Sequence, residues 1–250
     1  MPRDWNAISY EQVSGPMEAM GRDVLDRLEL RGDERVLDAG CGTGRVTAVL
    51  AERLPRGEVV AVDASPSMVE EARRRLGNAA DVRVADLTAL ALEEPVDAIL
   101  STATFHWIAD HDRLFARLHA ALRPGGRLVA QCGGEGNIAA IMAAARRVGE
   151  REPFRAWLGG WADPKNFQPA SATAERLRRA GFTDEWTWLS RTTVEPDDPH
   201  EFLKTVTLGA HLERLPDDHQ HAFVDAVIDE LDDPRRMDYV RLNILARRPM

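Results

Sequence analysis

Residues 35–54, RVLDAGCGTGRVTAVLAERL, decide the fold of this 250-residue chain. The apolar run RVLDA predicts a short buried strand, and VTAVLAERL predicts a helix. Between them stand three glycines at alternate positions, Gly40, Gly42 and Gly44. Glycine lets the backbone pass close to a ligand because no side chain is in the way. The stretch therefore predicts a cofactor-binding loop between a strand and a helix of an α/β domain.

The spacing of these glycines distinguishes two classes of cofactor. A dinucleotide fingerprint, G-x-G-x-x-G, needs a third glycine at position 45, where this chain has Arg45. Asp38 stands two residues before the loop, and its carboxylate would oppose a pyrophosphate but suit a cationic amino group. The loop therefore favours S-adenosylmethionine over NAD.

Strand and helix patterns alternate beyond the loop. The segments EVVAVD, DVRVAD, VDAILST and GRLVAQC predict strands, whereas PSMVEEARRRL and HDRLFARLHAAL predict helices. We expect Ser65 and Asp110 to cap these two helices, and RPGG to end the second so that the next strand begins near Arg127. Before the loop, GPMEAMGRDVLDRLEL predicts a helix that leads up to Gly32. Such alternation predicts one α/β domain, residues 1–250, with a doubly wound sheet covered on both faces.

After Cys132 the sequence no longer alternates regularly between strand and helix patterns. Residues 133–170 hold one helical stretch and then a segment rich in Trp, Gly and Pro, which predicts an inserted helical lid that recognises the substrate. A helix in SATAERLRRAGF and strands in TDEWTWLSRTTVE and YVRLNILARR are expected to complete the sheet. Helical stretches within residues 195–235 are expected to add to the lid.

Composition limits the partners and the compartment. The net charge of −9 would repel a phosphate backbone, so we expect no nucleic acid partner. Two cysteines, Cys41 and Cys132, are too few for a disulfide framework or a metal cluster. Because neither a signal peptide nor an apolar run of about 20 residues is visible, we expect a cytoplasmic protein without a membrane partner. The expected assembly is a monomer or homodimer.

Five motifs in residues 35–132 resemble, in order and spacing, those of the class I S-adenosylmethionine-dependent methyltransferases. They are VLDAGCGTG, VVAVDAS, VRVADL, VDAILSTATFHWI and LRPGGRL. The resemblance implies a Rossmann-like, mostly parallel seven-stranded sheet of order 3-2-1-4-5-7-6 with the last strand antiparallel. The DWN opening followed by a tyrosine, HW after the fourth strand and the closing ILARRP resemble the trans-aconitate and juvenile hormone acid methyltransferase group, which methylates carboxyl oxygens.

The same resemblance implies a role for each residue of the cofactor site. Asp63 is expected to accept hydrogen bonds from the two ribose hydroxyls, as a carboxylate can from a vicinal diol. Asp86 is expected to accept from the adenine amino group, and Tyr10 to close over the methionine end. The full set of expected cofactor contacts is Tyr10, Asp38, Gly40, Cys41, Gly42, Thr43, Gly44, Asp63, Ala64, Met68, Ala85, Asp86, Leu87, Thr102 and Ala103.

Methyl transfer from a sulfonium requires few catalytic side chains. A carboxylate is already nucleophilic at pH 7, whereas a hydroxyl or an acidic carbon needs a general base. His106 and Trp107 are the expected catalytic residues. His106 could orient a carboxylate as a donor, take a proton from a phenol or enol, or merely bond a backbone carbonyl.

Aromatic residues are expected to line the acceptor site, which suits a partly apolar acceptor. These candidates are Phe105, Phe154, Trp157 and Trp161, with Phe167 nearby in the lid segment. Alternatively, the aromatic residues form the lid's own small core. Met17 and Met20 favour a less polar acceptor than trans-aconitate. Basic residues could pair with an acidic substrate or form a solvated helix face: Arg146, Arg147, Arg151, Arg155 and Lys165.

The preferred interpretation is an S-adenosylmethionine-dependent methyltransferase that methylates a carboxylate oxygen of a partly apolar small molecule. Phenolic O-, C- or N-methylation of a small metabolite is the first alternative. The second is a non-catalytic regulatory protein that binds the cofactor. A bound metal is not expected for any of the three.

Overall fold

The computed structural model describes Trp5, Ala7 and residues 15–250, in which strands and helices alternate as expected. The strands are β1 (Arg35–Ala39), β2 (Glu58–Asp63), β3 (Asp81–Val84), β4 (Val96–Thr102), β5 (Leu122–Gly133), β6 (Thr183–Val194) and β7 (Met237–Arg247). The helices are α1 (Gly15–Leu25), α2 (Arg45–Glu52), α3 (Pro66–Leu76), α4 (His111–Ala121), α5 (Ala139–Gly149), α6 (Arg155–Leu158), α7 (Ala170–Arg179), α8 (Pro199–Phe202), α9 (Gly209–Leu212) and α10 (Asp217–Asp229). A π-helical turn, Leu203–Thr207, follows α8 directly.

The strands form one seven-stranded sheet of order β3-β2-β1-β4-β5-β7-β6. Strand β7 runs antiparallel to both of its neighbours, β5 and β6. All neighbouring strands among the first five are parallel to each other. The predicted strand order and the antiparallel last strand are therefore confirmed. Because parallel strands end at the same edge, the loops after β1, β2 and β4 meet there, which is where such sheets bind ligands.

Alternate residues of each central strand face opposite helical layers. In β1 and β2, Leu37 and Val60 pack into a core that also contains Phe115 of α4. Their neighbours Val36 and Val59 pack on the other face, against α1 and α2. Both faces are thus apolar and covered, which makes the sheet doubly wound.

Two predicted caps are confirmed, and two predicted boundaries are wrong. Ser65 accepts from the Met68 backbone N–H and caps α3, and Asp110 caps α4. Helix α1 ends at Leu25 rather than near Gly32, because the backbone N–H groups of Arg27 and Leu28 bond to the third residue back and so form turns.

Strand β5 begins at Leu122 rather than near Arg127. Leu122 pairs with Val96 and Arg127 pairs with Ala98, with an irregularity between them. The RPGG segment therefore bulges within a continuous strand, because pairing on both sides overrides its turn signal.

A second group of helices lies beside the sheet and has its own core. We call residues 138–158 and 199–231 the helical layer. Its core contains Ile141 of α5, Phe154, Phe202 of α8 and Phe223 of α10, all buried. Among residues 15–250, no helix has both the length and the apolar character that a membrane crossing needs.

Candidate functional site

The three loop glycines meet two different demands. A Cβ at Gly40 would lie only 2.1 Å from Oγ1 of Thr104, and one at Gly44 would lie 3.1 Å from Leu76 of α3. A Cβ at Gly42 would meet no atom within 4 Å, although Gly42 has a left-handed φ of +54°. Protein packing therefore requires two of the glycines. Only Gly42 faces open space, which a cofactor could fill.

Asp38 supplies an unsatisfied carboxylate oxygen beside this loop. Its side chain is buried, and Oδ2 accepts the hydroxyl of Thr47 at 2.7 Å. The other oxygen, Oδ1, has no hydrogen-bond partner among the residues that the structure describes. Burial, opposed by the hydrogen bond from Thr47 and assisted by the charge of Asp63, raises the pKa of Asp38 to about 6. An oxygen of this kind needs a donor, and the amino group of S-adenosylmethionine fits that need.

Asp63 ends β2 with its carboxylate held by two backbone N–H groups. Oδ2 accepts from Gly42 at 3.0 Å, and Oδ1 accepts from Ser65 at 2.9 Å. Each carboxylate oxygen has two acceptor positions, so this arrangement orients the group without exhausting it. Because Asp63 also bonds to the one glycine that faces open space, its position fits the predicted ribose contact.

Asp86 follows β3 and is exposed. Its Oδ1 accepts from both the backbone N–H and the hydroxyl of Thr88, which fixes the carboxylate at the start of a short 3₁₀ turn. Met68, at the start of α3, is buried. Leu87 is buried in the core beside the sheet, so its side chain is structural and only its backbone is left for an adenine contact.

The structure describes all of the remaining predicted cofactor residues except Tyr10, and it also places Arg45 of the loop. Burial raises the pKa of Cys41 well above its usual value, and Asp38 and Asp63 raise it further, so its sulfur stays a thiol. Arg45, which replaces the third glycine of a dinucleotide loop, pairs with Glu18 of α1 at 2.9 Å. Tyr10 lies outside the described residues. The other predicted contacts lie in the loop, at the end of a strand or directly after one: Thr43, Ala64, Ala85, Thr102 and Ala103.

A small inner cavity opens where β4 ends. It lies between Ala103, His106 and Trp107 on one side and Asn137, Ile138 and the π-helical turn on the other. Ala103 has φ +57° and Ile138 has φ +47°, two of the three positive-φ non-glycine residues in the described part of the chain. Backbone strain of this kind concentrates at functional sites. The hydroxyl of Thr104 donates to Gly40 at 3.2 Å and so places this cavity next to the glycine loop.

His106 is a buried, neutral imidazole with a defined tautomer. Its Nδ1 accepts the backbone N–H of Gly133 at 3.2 Å, so the ring proton lies on Nε2. Burial lowers the pKa of His106 well below its ordinary value, and the charges of Arg241 and Lys165 lower it further. Nδ1 of His106 therefore accepts from a backbone N–H, whereas the alternative has the ring donate to a backbone carbonyl. The remaining ring atom, Nε2, is a donor, which suits a carboxylate and does not suit removal of a proton.

Two buried cations line the same cavity. The Arg241 side chain is 4% exposed, and its Nε donates to Gln131 at 3.3 Å. The Lys165 side chain is 2% exposed; its Nζ lies 2.7 Å from Asp163 and 5.1 Å from the ring centre of Trp107. Two cations around one cavity give it a positively charged lining, which favours an anionic occupant by charge complementarity.

A larger outer cavity of about 410 Å³ adjoins the inner one, and Asn137 and Phe167 line both. Its wall is mostly apolar, with Met142 and Leu158 among its residues, and the charged side chain of Arg146 also lines it. The two cavities together offer a cationic end and a partly apolar body.

The predicted aromatic residues divide between core and cavity. Phe105 is 1% exposed and packs edge-on against Phe115 in the core of the sheet, so this placement does not favour an acceptor contact. Phe154 packs against Phe223 in the core of the helical layer. Trp157 lies 4.8 Å from His219 of α10, ring to ring. Trp161 alone of the four lines the outer cavity, while Trp107 lines the inner one beside Trp5.

Arg241 is the residue that sequence reasoning missed. It stands inside the apolar strand YVRLNILARR, and a charged residue at an inward position of such a strand is the signal that could have found it. The sequence places Lys165 among the basic residues of the lid segment. Two members of that group, Arg147 and Arg151, instead pair with Glu230 at the surface.

Comparisons with known proteins match this chain to methyltransferases. A family model described as a methyltransferase domain matches residues 36–126. The chain is 30% identical over 250 residues to a trans-aconitate 2-methyltransferase of Methylobacterium radiotolerans, covering 96% of this chain and 94% of that protein. It is 35% identical over 188 residues to the protein of the same name from Methylobacterium nodulans, covering 75% of this chain and 67% of that one.

Solved structures show the same fold at lower identity. Phosphoethanolamine N-methyltransferase 2 of Haemonchus contortus, in complex with phosphomonomethylethanolamine and S-adenosylhomocysteine, superposes with a TM-score of 0.63 at 19% identity. That match covers 98% of this chain and 57% of the other. A putative methyltransferase from Bacillus halodurans gives a TM-score of 0.64 at 16% identity, over 93% of this chain and 100% of the other.

Proposed function

Because this chain belongs to the class I S-adenosylmethionine-dependent methyltransferases, in the group of the trans-aconitate 2-methyltransferases, we propose that its acceptor is a small organic acid whose carboxylate binds in the inner cavity. The observation that carries the proposal is the pair of buried cations, Arg241 and Lys165, beside the neutral donor His106. S-adenosylmethionine is the cofactor, and Asp38, Gly42 and Asp63 have the geometry to hold it.

The reaction is the transfer of a methyl group to a carboxylate oxygen, with the cofactor's sulfur as the leaving group. S-adenosylmethionine supplies an activated methyl group on a sulfonium and is left as neutral S-adenosylhomocysteine. Arg241 and Lys165 hold one carboxylate oxygen and leave the other to attack, and the Nε2–H of His106 fixes the plane of the carboxylate. No proton has to be removed, because the acceptor is ionised at pH 7. The chain's main contribution is to position the acceptor carboxylate and to exclude water.

The protonation state of His106 argues against the phenolic alternative. A phenol or enol needs a base within reach, and the Nδ1 lone pair of His106 is already taken by the Gly133 N–H. Its lowered pKa makes the ring a weak base as well.

The acceptor's remaining atoms lie in the outer cavity. Met142 and Leu158 suit an apolar or unsaturated body, and Arg146 suits a second acid group at its edge. The helical layer acts as the lid over both cavities. Trans-aconitate is the first compound to test, because the relatives that match over most of this chain carry its name. The absence of a nucleic acid partner, a monomeric or homodimeric state and a cytoplasmic location stay predictions.

An acceptor series tests the proposal. Purified protein and S-adenosylmethionine are incubated with trans-aconitate, with a monocarboxylic acid that has an apolar chain, with the primary amide and alcohol of each, and with a phenol. We expect methyl esters, identified by mass and by release of methanol in mild alkali, from the acids alone. Faster methylation of a phenol, or methylation of the amide and alcohol at the rate of the acid, would overturn the carboxylate assignment.

A further inference from the structure

Three possible metal ligands meet on the helical layer, away from both cavities. His200 lies in α8, and His221 and Asp225 lie one turn apart on α10. Residues four apart on a helix share a face, so α10 presents a histidine and a carboxylate together. His200 is partly buried, while the side chains of His221 and Asp225 are 78% and 51% exposed. The cluster is therefore reachable from solvent.

The spacing of the ligand atoms fits one ion. Asp225 lies 3.3 Å from Nε2 of His200 through Oδ1 and 3.5 Å from Nε2 of His221 through Oδ2. One ligand atom from each residue lies within 4.8 Å of the other two. A tetrahedral zinc ion with ligands at about 2.0–2.2 Å separates neighbouring ligand atoms by about 3.3–3.6 Å. The distance from each imidazole nitrogen to its nearer Asp225 oxygen falls in that range, with a different carboxylate oxygen facing each ring.

Hydrogen bonding does not account for this arrangement. Nε2 of His200 is buried and has no hydrogen-bond partner in the part of the chain that the structure describes. Its approach to Asp225 therefore lacks the geometry of a hydrogen bond. A buried polar atom that makes no hydrogen bond requires an explanation, and a bound ion is one of the standard ones.

We propose that His200, His221 and Asp225 bind a divalent transition metal of the Zn²⁺ type, with water as the fourth ligand. Two imidazoles and one carboxylate form the donor set that such ions prefer, and an open fourth position is usual at exposed zinc sites. The site does not depend on the methyl-transfer proposal.

The ion would clamp α8 to α10. The π-helical turn that follows α8 supplies Val206 and Thr207 to the inner cavity. Metal binding would therefore restrain one wall of that cavity and raise the thermal stability of the helical layer, because an ion that binds only the folded state stabilises it.

Titration of the full, metal-stripped chain with ZnCl₂ tests the proposal by calorimetry and thermal unfolding. The variants are His221→Ala, His200→Ala and a matched control, His219→Ala. His219 lies on the same helix but pairs with Asp218 outside the cluster. Even the loss of a residue that supports a metal ligand costs about 10- to 100-fold in metal affinity, so the loss of a ligand should cost at least that.

We expect one high-affinity site in the wild type and in His219→Ala, with a zinc-dependent rise in Tm. In His221→Ala and His200→Ala the affinity falls by at least about tenfold and the rise in Tm disappears. Wild-type protein that binds no zinc at millimolar concentration would overturn the proposal. An equal loss in all three variants, or an unchanged affinity in His221→Ala, would also overturn it.

Discussion

Asp38 should make cofactor affinity depend on pH, and Asp38→Asn should remove that dependence. The carboxylate is buried, and its pKa is raised to about 6. Its unsatisfied Oδ1 binds a cationic amino group only when the carboxylate is ionised. Protonation of Asp38 and cofactor binding therefore compete.

The expected size of the effect follows from the raised pKa. With a pKa of about 6 in the cofactor-free protein, Asp38 is about 90% ionised at pH 7 and about 10% ionised at pH 5. Apparent affinity scales with the population of the competent form, so the Kd for S-adenosylhomocysteine should rise about tenfold between pH 7 and pH 5. An ordinary aspartate would remain about 90% ionised at pH 5 and give almost no change.

The same shift predicts the effect on stability. Because the folded-state pKa is raised above the unfolded value of 3.8, the ionised group destabilises the cofactor-free protein above about pH 6. This destabilisation is lost as the pH falls from about 6 towards 3.8. A shift of about two units corresponds to about 3 kcal/mol, an order-of-magnitude figure. Asp38→Asn should therefore raise the unfolding free energy at pH 7 while it weakens cofactor binding.

Calorimetry with S-adenosylhomocysteine at pH 5, 6 and 7, together with urea unfolding at pH 7, measures both effects. Asp26→Asn is the control, because Asp26 is an exposed carboxylate that pairs with Arg53. Equal wild-type affinity at pH 5 and pH 7, or a tenfold change that persists in Asp38→Asn, would refute the reasoning. A less stable Asp38→Asn at pH 7 would refute the assigned pKa shift.

Three further substitutions test the rest of the site. Asp63→Ala removes the carboxylate bonded to Gly42 and should raise the Kd for S-adenosylhomocysteine by about 10- to 100-fold in calorimetry; an unchanged Kd would remove Asp63 from the site. Gly42→Val should abolish cofactor binding while circular dichroism shows a folded protein, because the new side chain enters open space; retained binding would contradict this assignment. His106→Phe should lower turnover without changing the Kd for S-adenosylhomocysteine. The wild-type rate should show no His106 titration near pH 6.5, because its pKa lies well below that value. Full turnover in the variant would make His106 structural.

The sheet could be predicted because its signals are local or carried by ordered motifs. Strands such as EVVAVD have a continuous apolar interior, and Ser65 and Asp110 cap helices as their positions indicate. The start of β5 could not be predicted. The RPGG sequence is typical of a turn, and only pairing with Val96 on a neighbouring strand keeps it in the sheet.

The acceptor site was less predictable than the cofactor site, because contacts between distant segments build it. Arg241 reaches the inner cavity from the last strand, and Lys165 reaches it from the lid segment. Similarly, the local sequence of Phe154 cannot reveal that Phe223 will cover it. By contrast, Asp38, Gly42 and Asp63 lie at strand ends or in the loop, where the order of motifs predicts their proximity.

The central claim is that buried cations hold an acceptor carboxylate, and the acceptor kinetics of Arg241→Leu test it most directly. Arg241→Lys keeps the charge, and Arg247→Leu removes an exposed arginine from the same strand as a control. We expect Arg241→Leu to lower kcat/KM for the acid by about 10- to 100-fold through a raised KM, with an unchanged Kd for S-adenosylhomocysteine. Arg241→Lys should recover part of the loss, and Arg247→Leu should behave as the wild type. An Arg241→Leu enzyme with an unaltered KM for the acid would contradict the account.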